Sequence, residues 1–304
     1  MSATVQQSPF RDRSGRIPAP DDQPFLKWAG GKRWIARGIA SLFGDSPGCY
    51  FEPFLGSGAV FFALRPSRAV LSDTNRDLIA AFRTARTRPT ALVSALSALD
   101  ISQDTFARIR AQVPANDFER AVRLLYLNRT AFNGLWRVNQ QGTFNVPYGC
   151  KPGTRSVDPT RLRRCAQDLS GATLRVADFR KALNKAEPGD CVYLDPPYTV
   201  THNNNGFRRY NEHIFSWADQ EALATIATDL GMRGIHVIVT NACHKDVELL
   251  YGDQFSRCYV HRTSRMAAST THRKARGEMV IATRSLAGTD SQLASAFTRA
   301  VSVV

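Results

Sequence analysis

The chain has 304 residues, of which 43% are hydrophobic, so it is long enough for one large α/β domain with an insertion or for two modest domains. Forty Lys and Arg stand against 26 Asp and Glu, and the net charge of +14 indicates a polyanionic partner, although a merely basic surface gives the same balance. The chain lacks both the run of about 18 apolar residues that a membrane span requires and the apolar core of a signal peptide near its polar start.

The six cysteines lie far apart without a C-x-x-C pair, and the histidines show no metal-binding spacing. We therefore expect a reduced, cytoplasmic protein with no metal and no membrane association.

The first part of the chain alternates strands and helices. Residues 1–24 are polar and contain prolines, and we expect a flexible N-terminal arm there. Residues 50–52 are predicted as a strand, 59–64 as a helix, and 69–72 as a second strand that ends at Asp73. Strand, glycine-containing loop, helix and strand in this order are typical of half of a doubly wound parallel sheet.

The alternation breaks in the middle of the chain. Residues 78–99 repeat apolar side chains at helical spacing, helical patterns follow at 106–112 and 118–127, and residues 128–148 lack apolar periodicity. A loop of that length is uncommon unless it is functional. We therefore predict an inserted, mainly helical module at 86–170.

Strand-like apolar runs resume after the insertion, at 174–176, 191–194, 235–239 and 279–282. They are expected to complete the sheet. Residues 25–85 and 171–285 would then form one α/β domain, and residues 286–304 a C-terminal tail.

The most informative motif is Asp195-Pro196-Pro197-Tyr198, which directly follows the run 191–194. The carboxyl ends of strands in an open α/β sheet form the ligand crevice. There a carboxylate and a proline-fixed carbonyl can accept both hydrogens of an exocyclic amine, and the aromatic ring can stack on a base. The alternative is a plain turn, because two prolines also terminate a strand.

A second motif, Phe54-x-Gly56-x-Gly58, follows a predicted strand and opens a helix. The glycines allow the backbone to approach a ligand closely, and Asp73 at the end of the next strand is placed to hold ribose hydroxyls. Because Phe61 occupies the third position of G-x-G-x-x-G, a nucleoside-containing cofactor fits better than a dinucleotide.

Three further segments have both a functional and a structural interpretation. Asp178 ends a predicted strand and could contact the adenine of a cofactor or cap the following helix. Residues 28–32 combine Trp28 with glycines and Lys32, which fits a cation beside a carboxylate-bearing cofactor, although Trp28 could be core. Residues 128–148 contain amide, guanidinium, apolar and aromatic side chains, which can recognise bases or occupy the place of an extruded base. The alternative is a polar loop that packs on the helices.

Together these segments resemble the D12-type, Dam-like adenine-N6 DNA methyltransferases over roughly residues 25–285. The resemblance is carried, in chain order, by Lys27-Trp28-Ala29-Gly30-Gly31-Lys32, Glu52-Pro53-Phe54-x-Gly56-x-Gly58, Leu71-Ser72-Asp73-x-Asn75, Tyr126-Leu127-Asn128-Arg129, Phe144-Asn145-Val146-Pro147 and Asp195-Pro196-Pro197-Tyr198.

The resemblance implies a Rossmann-like, S-adenosylmethionine-dependent methyltransferase sheet with a target-recognition domain at 86–170. It implies methylation of the adenine N6 amino group in a base flipped out of double-stranded DNA, with GATC as the first candidate site. The catalytic residues that it implies are Asp195, Pro196 and Tyr198. The S-adenosylmethionine contacts that it implies are Trp28, Ala29, Gly30, Lys32, Pro53, Phe54, Gly56, Gly58, Asp73, Asp178 and Asp195. The DNA contacts are Lys27, Phe132, Asn133, Leu135, Arg137, Pro147, Arg273 and Lys274.

The sequence departs from the family pattern at Val138 and Lys151, where aromatic residues are usual, and at Ser269-Thr270-Thr271 in place of Asn-Gly-Gly. These changes bear on the recognition sequence more than on the reaction. The alternatives are a methyltransferase for cytosine N4 or RNA and a non-catalytic DNA-binding relative. We expect a nucleoid-associated monomer or weak dimer in a bacterial or phage-infected cell, with a cognate restriction endonuclease as a candidate partner.

Overall fold

The computed structural model describes residues 22–44, 48–139, 141–150, 153–198, 215–262 and 276–298. Its strands are β1 (Tyr50–Glu52), β2 (Ala69–Asp73), β3 (Ala172–Val176), β4 (Cys191–Leu194), β5 (His236–Ala242), β6 (Phe255–Arg262) and β7 (Arg276–Thr283). All of them belong to one sheet, in the order β3-β2-β1-β4-β5-β7-β6.

The helices surround this sheet, and none in the described part of the chain is long and apolar enough to cross a membrane. They are α1 (Ala36–Phe43), α2 (Ala59–Leu64), α3 (Arg76–Thr87), α4 (Pro89–Ser97), α5 (Gln103–Ala111), α6 (Asp117–Thr130), α7 (Pro159–Asp168), α8 (Phe179–Ala182), α9 (Trp217–Met232), α10 (Lys245–Leu249), α11 (Arg284–Ala287) and α12 (Asp290–Thr298). A 3₁₀ turn, Phe132–Gly134, follows α6.

The strand order reverses between β1 and β4. Strands β1 to β5 are parallel to one another, whereas β7 runs antiparallel between β5 and β6. The chain moves outward from β1 to β3 and then returns to place β4 on the other side of β1. A ligand crevice forms at such a switch point, outside the carboxyl ends of the strands. The predicted doubly wound sheet is confirmed.

Two strands differ from the sequence-based expectation. Strand β6 was not predicted, because its basic residues favour a solvated or phosphate-contacting segment; in the structure Cys258 and Val260 are buried while Tyr259 is exposed. Strand β7 begins before the predicted run, and its polar residue Glu278 lies inside the strand.

The predicted mainly helical insertion between β2 and β3 is also confirmed. The continuous helical pattern at 78–99 is divided by Pro89, which begins α4 because a proline cannot continue α3. The insertion shares its core with the sheet, since Leu96 and Leu124 belong to the same buried cluster as Leu71. The predicted domain boundary at 85/86 falls inside α3, and the division into domains stays a prediction.

The segment expected to be a tail contributes to the core. Helix α12 packs on β6 and α1, and both Leu293 and Phe297 are fully buried in the large hydrophobic cluster. Its short apolar pattern is too weak to reveal this from sequence. The predicted N-terminal arm lies outside the described residues except for 22–24.

We expect Phe297→Ala to lower the free energy of unfolding by about 3–5 kcal/mol, because truncating a buried Phe leaves a cavity. Urea unfolding followed by circular dichroism measures the change. Ser295→Ala, on the exposed face of the same helix, is the control and should shift stability by less than about 0.5 kcal/mol. Equal midpoints for both variants would show that α12 does not support the core.

Candidate active site

Three carboxylates meet at the carboxyl edge of the sheet. Glu52 ends β1, Asp73 ends β2, and Asp195 follows β4. These strands are direct neighbours, and β1 and β4 flank the switch point. The edge therefore holds a concentration of acidic groups where a ligand crevice is expected.

Asp73 is tied to the glycine loop. One carboxylate oxygen accepts a hydrogen bond from the Gly56 N–H at 3.1 Å, and the other accepts from the Asn75 N–H at 2.9 Å. Burial raises the pKa of Asp73, and these two donors only partly oppose the increase. The sequence-predicted loop and acid are thus one structural unit.

Trp28 lies against the same loop. Gly56 has a φ of +47°, and a Cβ on it would come within 3.0 Å of the Trp28 indole. Any larger residue would be strained and would also displace this ring. Gly58, with a φ of +68°, caps α2. The loop and the Trp28 segment therefore form adjoining walls of one crevice.

Lys32 connects this crevice to the tetrapeptide. Its Nζ lies 2.9 Å from Asp195 Oδ1 and 3.7 Å from Glu278 Oε2, and it donates to the Gly30 carbonyl at 2.9 Å. The ammonium also lies 5.0 Å from the centre of the Tyr198 ring. Lys32 is buried, with 3% of its side chain exposed, whereas Asp195 keeps 18%.

Burial disfavours the charged form of Lys32 and lowers its pKa, but Asp195, Tyr198 and Glu278 overcome this effect, so the net pKa is raised. Lys32 therefore remains an ammonium. In Glu278, an acid, burial also disfavours the charged form and therefore raises the pKa, while the neighbouring Lys32 lowers it.

A second donor reaches Asp195 from β5. Thr240 Oγ1 donates to Asp195 Oδ1 at 2.9 Å, and the Tyr193 hydroxyl lies 2.8 Å from Thr240 Oγ1. Thr240 and Tyr193 are fully buried. Neither these two residues nor Glu278 was predicted from the sequence. Their only signal is a polar group within an otherwise apolar strand.

The two prolines are held from α9. Gln220 donates to the Pro197 carbonyl at 3.4 Å, and its own amide oxygen accepts from Asn241 at 3.1 Å. Pro196 is buried between the strand end and this contact. The tetrapeptide is thus held in place by specific contacts at the end of β4, and its catalytic role stays a prediction.

Glu52 is a buried acid, to which the sequence analysis gave no role beyond membership of the glycine motif. It is 2% exposed, and its Oε2 accepts a hydrogen bond from the Tyr50 hydroxyl at 2.9 Å. Burial raises the pKa of Glu52 to about 8, with Asp195 and Asp73 adding to the increase and Tyr50 opposing it. Glu52 therefore holds a proton at neutral pH.

Asp178 adopts the capping role. Its carboxylate accepts from the Arg180 N–H at 2.9 Å at the start of α8 and lies 3.4 Å from the Arg180 guanidinium. Phe54 stacks on Phe179 with ring centres 5.5 Å apart, so α8 borders the glycine loop. Pro53, which precedes Phe54, is buried. A cofactor contact by Asp178 stays a prediction.

The predicted DNA-contacting residues of the insertion gather beside the Trp28 segment. The buried side chain of Asn128 accepts from the Lys27 N–H at 2.9 Å and donates to the carbonyls of Lys27 at 2.8 Å and Gly134 at 2.9 Å. A Cβ on Gly134 would meet the Lys27 side chain at 2.7 Å. Lys27 and the turn Phe132–Gly134 are therefore in contact.

Arg137 lies on a short hairpin next to this turn. Its Nε donates to Asn145 Oδ1 at 2.9 Å, and Val138 pairs with Phe144 in an antiparallel bridge. The Phe132 N–H donates to the Pro147 carbonyl at 2.9 Å, which joins the turn to the end of the hairpin.

All the predicted DNA contacts of this region are exposed to solvent: Lys27, Phe132, Asn133, Leu135, Arg137 and Pro147. Phe132 is 52% and Leu135 39% exposed, which is high for large apolar side chains next to a polar hairpin. The other predicted contacts, Arg273 and Lys274, lie outside the described residues, as does Lys151.

The strand order, the antiparallel β7 and the acids at the switch point define a doubly wound α/β protein with flanking helices and a ligand site at the carboxyl edge of its sheet. The family model described as D12 class N6 adenine-specific DNA methyltransferase matches residues 28–266. The chain belongs to this family, and it is an adenine-specific DNA methyltransferase.

Three relatives illustrate the similarity. The chain is 36% identical over 244 residues to the type II methyltransferase M1.LlaDCHI of Lactococcus lactis subsp. cremoris, a match covering 76% of this chain and 85% of the relative. It is 32% identical over 255 residues to the DNA adenine methylase of Haemophilus influenzae, covering 81% and 89%. It is 33% identical over 228 residues to the DNA adenine methylase of Escherichia coli K12, covering 72% and 81%.

The proton on Glu52 makes stability depend on pH. Because the pKa of Glu52 is about 8 in the fold against 4.5 for a free Glu, its contribution is lost as pH rises between these values. Glu52→Gln keeps the acceptor for Tyr50 but cannot ionise. The difference in free energy of unfolding between this variant and the native protein should therefore shift in favour of the variant by a few kcal/mol from pH 5 to pH 9.

Urea unfolding at four pH values across this range measures the difference. Glu187→Gln, an exposed acid replaced in the same way, controls for the change in net charge. Parallel curves for Glu52→Gln and the native protein would show that Glu52 is already ionised.

Proposed function

We propose that the chain transfers the methyl group of S-adenosylmethionine to the N6 amino group of an adenine that has left the stack of double-stranded DNA. Asp195 is the residue that touches the amine. The single observation that carries this proposal is the setting of Asp195 at the switch point of the sheet, paired with Lys32 and 18% exposed.

The residues of the crevice fit this cofactor. The positive φ angles of Gly56 and Gly58 shape a tight loop that turns the Gly56 N–H toward Asp73. Asp73, whose oxygens are held by backbone N–H groups, suits a pair of ribose hydroxyls. The carboxylates of Asp73 and Asp195 favour a ligand with positive charge. When bound, S-adenosylmethionine supplies a methyl group on a positively charged sulfur that an amine can attack.

The contacts to this cofactor that we propose are Trp28, Ala29, Gly30, Lys32, Pro53, Phe54, Gly56, Gly58, Asp73, Asp178 and Asp195. Lys32 acts here chiefly on Asp195, because its ammonium is already engaged with that carboxylate and with the Gly30 carbonyl.

The chemical problem is the weak nucleophilicity of an aromatic amine, whose lone pair is conjugated into the ring. Asp195 and the Pro196 carbonyl accept hydrogen bonds from the two N–H groups of the amine, which draws the nitrogen toward tetrahedral geometry and frees its lone pair. Positioning of this kind contributes several kcal/mol. Tyr198, two residues further on, stacks on the base, which must first be extruded at a cost of a few kcal/mol.

Replacing Asp195 by Ala should lower the rate of methyl transfer by about 100-fold or more, because the amine loses its main acceptor. Incorporation of tritiated methyl groups into unmethylated genomic DNA measures the rate, and calorimetry measures cofactor binding, which should survive at least in part. Asp229→Ala, an exposed acid on α9, is the matched control. Robust turnover by the Asp195 variant would count decisively against this role.

The exposed residues beside Lys27 are the surface that we propose for DNA. A guanidinium recognises the edge of guanine bidentately. In the part of the chain that the structure describes, Arg137 is held through Nε by Asn145, and its two terminal nitrogens can reach a base. Apolar Phe132 and Leu135 can occupy the space left by the extruded adenine. The net charge of +14 supports contact with the phosphate backbone. A short site such as GATC is the first candidate.

Arg137→Ala should relax specificity at one base pair by about 10- to 100-fold, the loss expected for one bidentate contact. Methylation-sensitive sequencing of a bacterium that expresses the chain gives the site and its relaxation together. Arg175→Ala, an exposed arginine on β3, should leave the site unchanged. An unaltered site in the Arg137 variant would remove Arg137 from base recognition.

A further inference from the structure

Among the residues that the structure describes, two donors reach the Asp195 side chain, and both reach the same oxygen. Lys32 Nζ and Thr240 Oγ1 each lie 2.9 Å from Oδ1. A carboxylate oxygen has two lone pairs in the plane of the group, so two donors satisfy it. Among the described residues, the hydrogen bonds of this carboxylate fall on Oδ1, and the acceptor capacity that remains belongs to Oδ2.

The proton positions behind Thr240 follow from chemistry. An ionised carboxylate can only accept, so the single hydroxyl proton of Thr240 points to Asp195. The short contact between Tyr193 and Thr240 must then be a donation by the phenol. Burial, together with the nearby Asp195, raises the pKa of Tyr193 well above its usual value, so the phenol keeps its proton. The hydrogen bonds run from Tyr193 to Thr240 to Asp195.

The two donors differ in rigidity. Lys32 is a long side chain that also contacts Gly30 and Glu278. Thr240 is β-branched, which restricts its χ1 angle, and it lies in the middle of the sheet on β5, beside β4. Thr240 is therefore the donor that fixes the direction of the carboxylate, while Lys32 supplies the charge.

We propose that Thr240, supported by Tyr193, is a positioning residue that holds Asp195 Oδ1 and thereby turns Oδ2 toward the substrate amine. Thr240 touches no reacting atom. The inference rests on the proposed role of Asp195 and adds to it the reason why one carboxylate oxygen is available in a fixed place. Misplacing a reacting group by about 1 Å can cost 100-fold in rate, so the effect belongs to the chemical step.

Thr240→Val tests this with nearly unchanged shape, because a methyl group replaces the hydroxyl. We expect kcat to fall about 10- to 100-fold, while KM for DNA and the affinity for S-adenosylmethionine change less than about threefold. Thr240→Ser keeps the hydroxyl and should recover most of kcat. Tyr193→Phe should lower kcat about three- to tenfold, since Thr240 loses the donor that orients it.

Tritiated-methyl transfer to unmethylated genomic DNA gives kcat and KM, calorimetry gives cofactor affinity, and thermal unfolding confirms that each variant is folded. A Val variant with native kcat, a Ser variant as slow as Val, or a rise in KM alone each overturns the inference. If the Val variant fails to fold, Tyr193→Phe becomes the test, and a native kcat in that variant overturns the positioning role of Thr240.

The failure of this inference differs from the failure of the proposed function. Full activity of Asp195→Ala removes the proposed function itself. An inactive Asp195→Ala beside a fully active Thr240→Val leaves that function in place and removes only the positioning role.

Discussion

The buried pair of Lys32 and Asp195 is the interaction on which the site depends. It joins the segment before α1 to the end of β4, and it does so with a lysine that is almost wholly removed from water. Removing one member of such a pair strands a charge and costs about 3–5 kcal/mol, whereas an intact pair offsets its own desolvation only when other hydrogen bonds complete it. The Gly30 carbonyl, Thr240 and Glu278 provide this completion.

The pair also explains the balance of charge in the crevice. Three acids lie at neighbouring strand ends, and Glu278 adds a fourth from β7. Mutual repulsion is relieved in two ways: Lys32 neutralises Asp195, and Glu52 retains its proton. The four acids can therefore lie close together without a corresponding accumulation of negative charge.

Much of this architecture could be predicted from the sequence, because it depends on local patterns. The apolar runs at β1 and β4 gave the strands, and the glycines at 56 and 58 gave the turn between β1 and α2. The positions of the glycine loop and of Asp73 at two strand ends followed from the order of these elements, whereas the hydrogen bond between them did not.

What escaped prediction is long-range. Thr240 and Glu278 contact the site only because the sheet order places β5 beside β4 and β7 beside β5. One polar residue in a strand is too weak a local signal to identify either of them. The antiparallel β6 and the buried face of α12 were missed for the same reason, since each owes its stability to tertiary packing rather than to its own pattern.

The amide of Asn128 has a mechanical consequence. The Asn128 side chain hydrogen-bonds to the backbone of both Lys27 and Gly134. The turn that bears Phe132 is therefore tied to the backbone segment that leads to Lys32. The turn of the insertion and the ammonium that pairs with Asp195 are thus anchored to one short stretch of backbone, with four residues between Lys27 and Lys32.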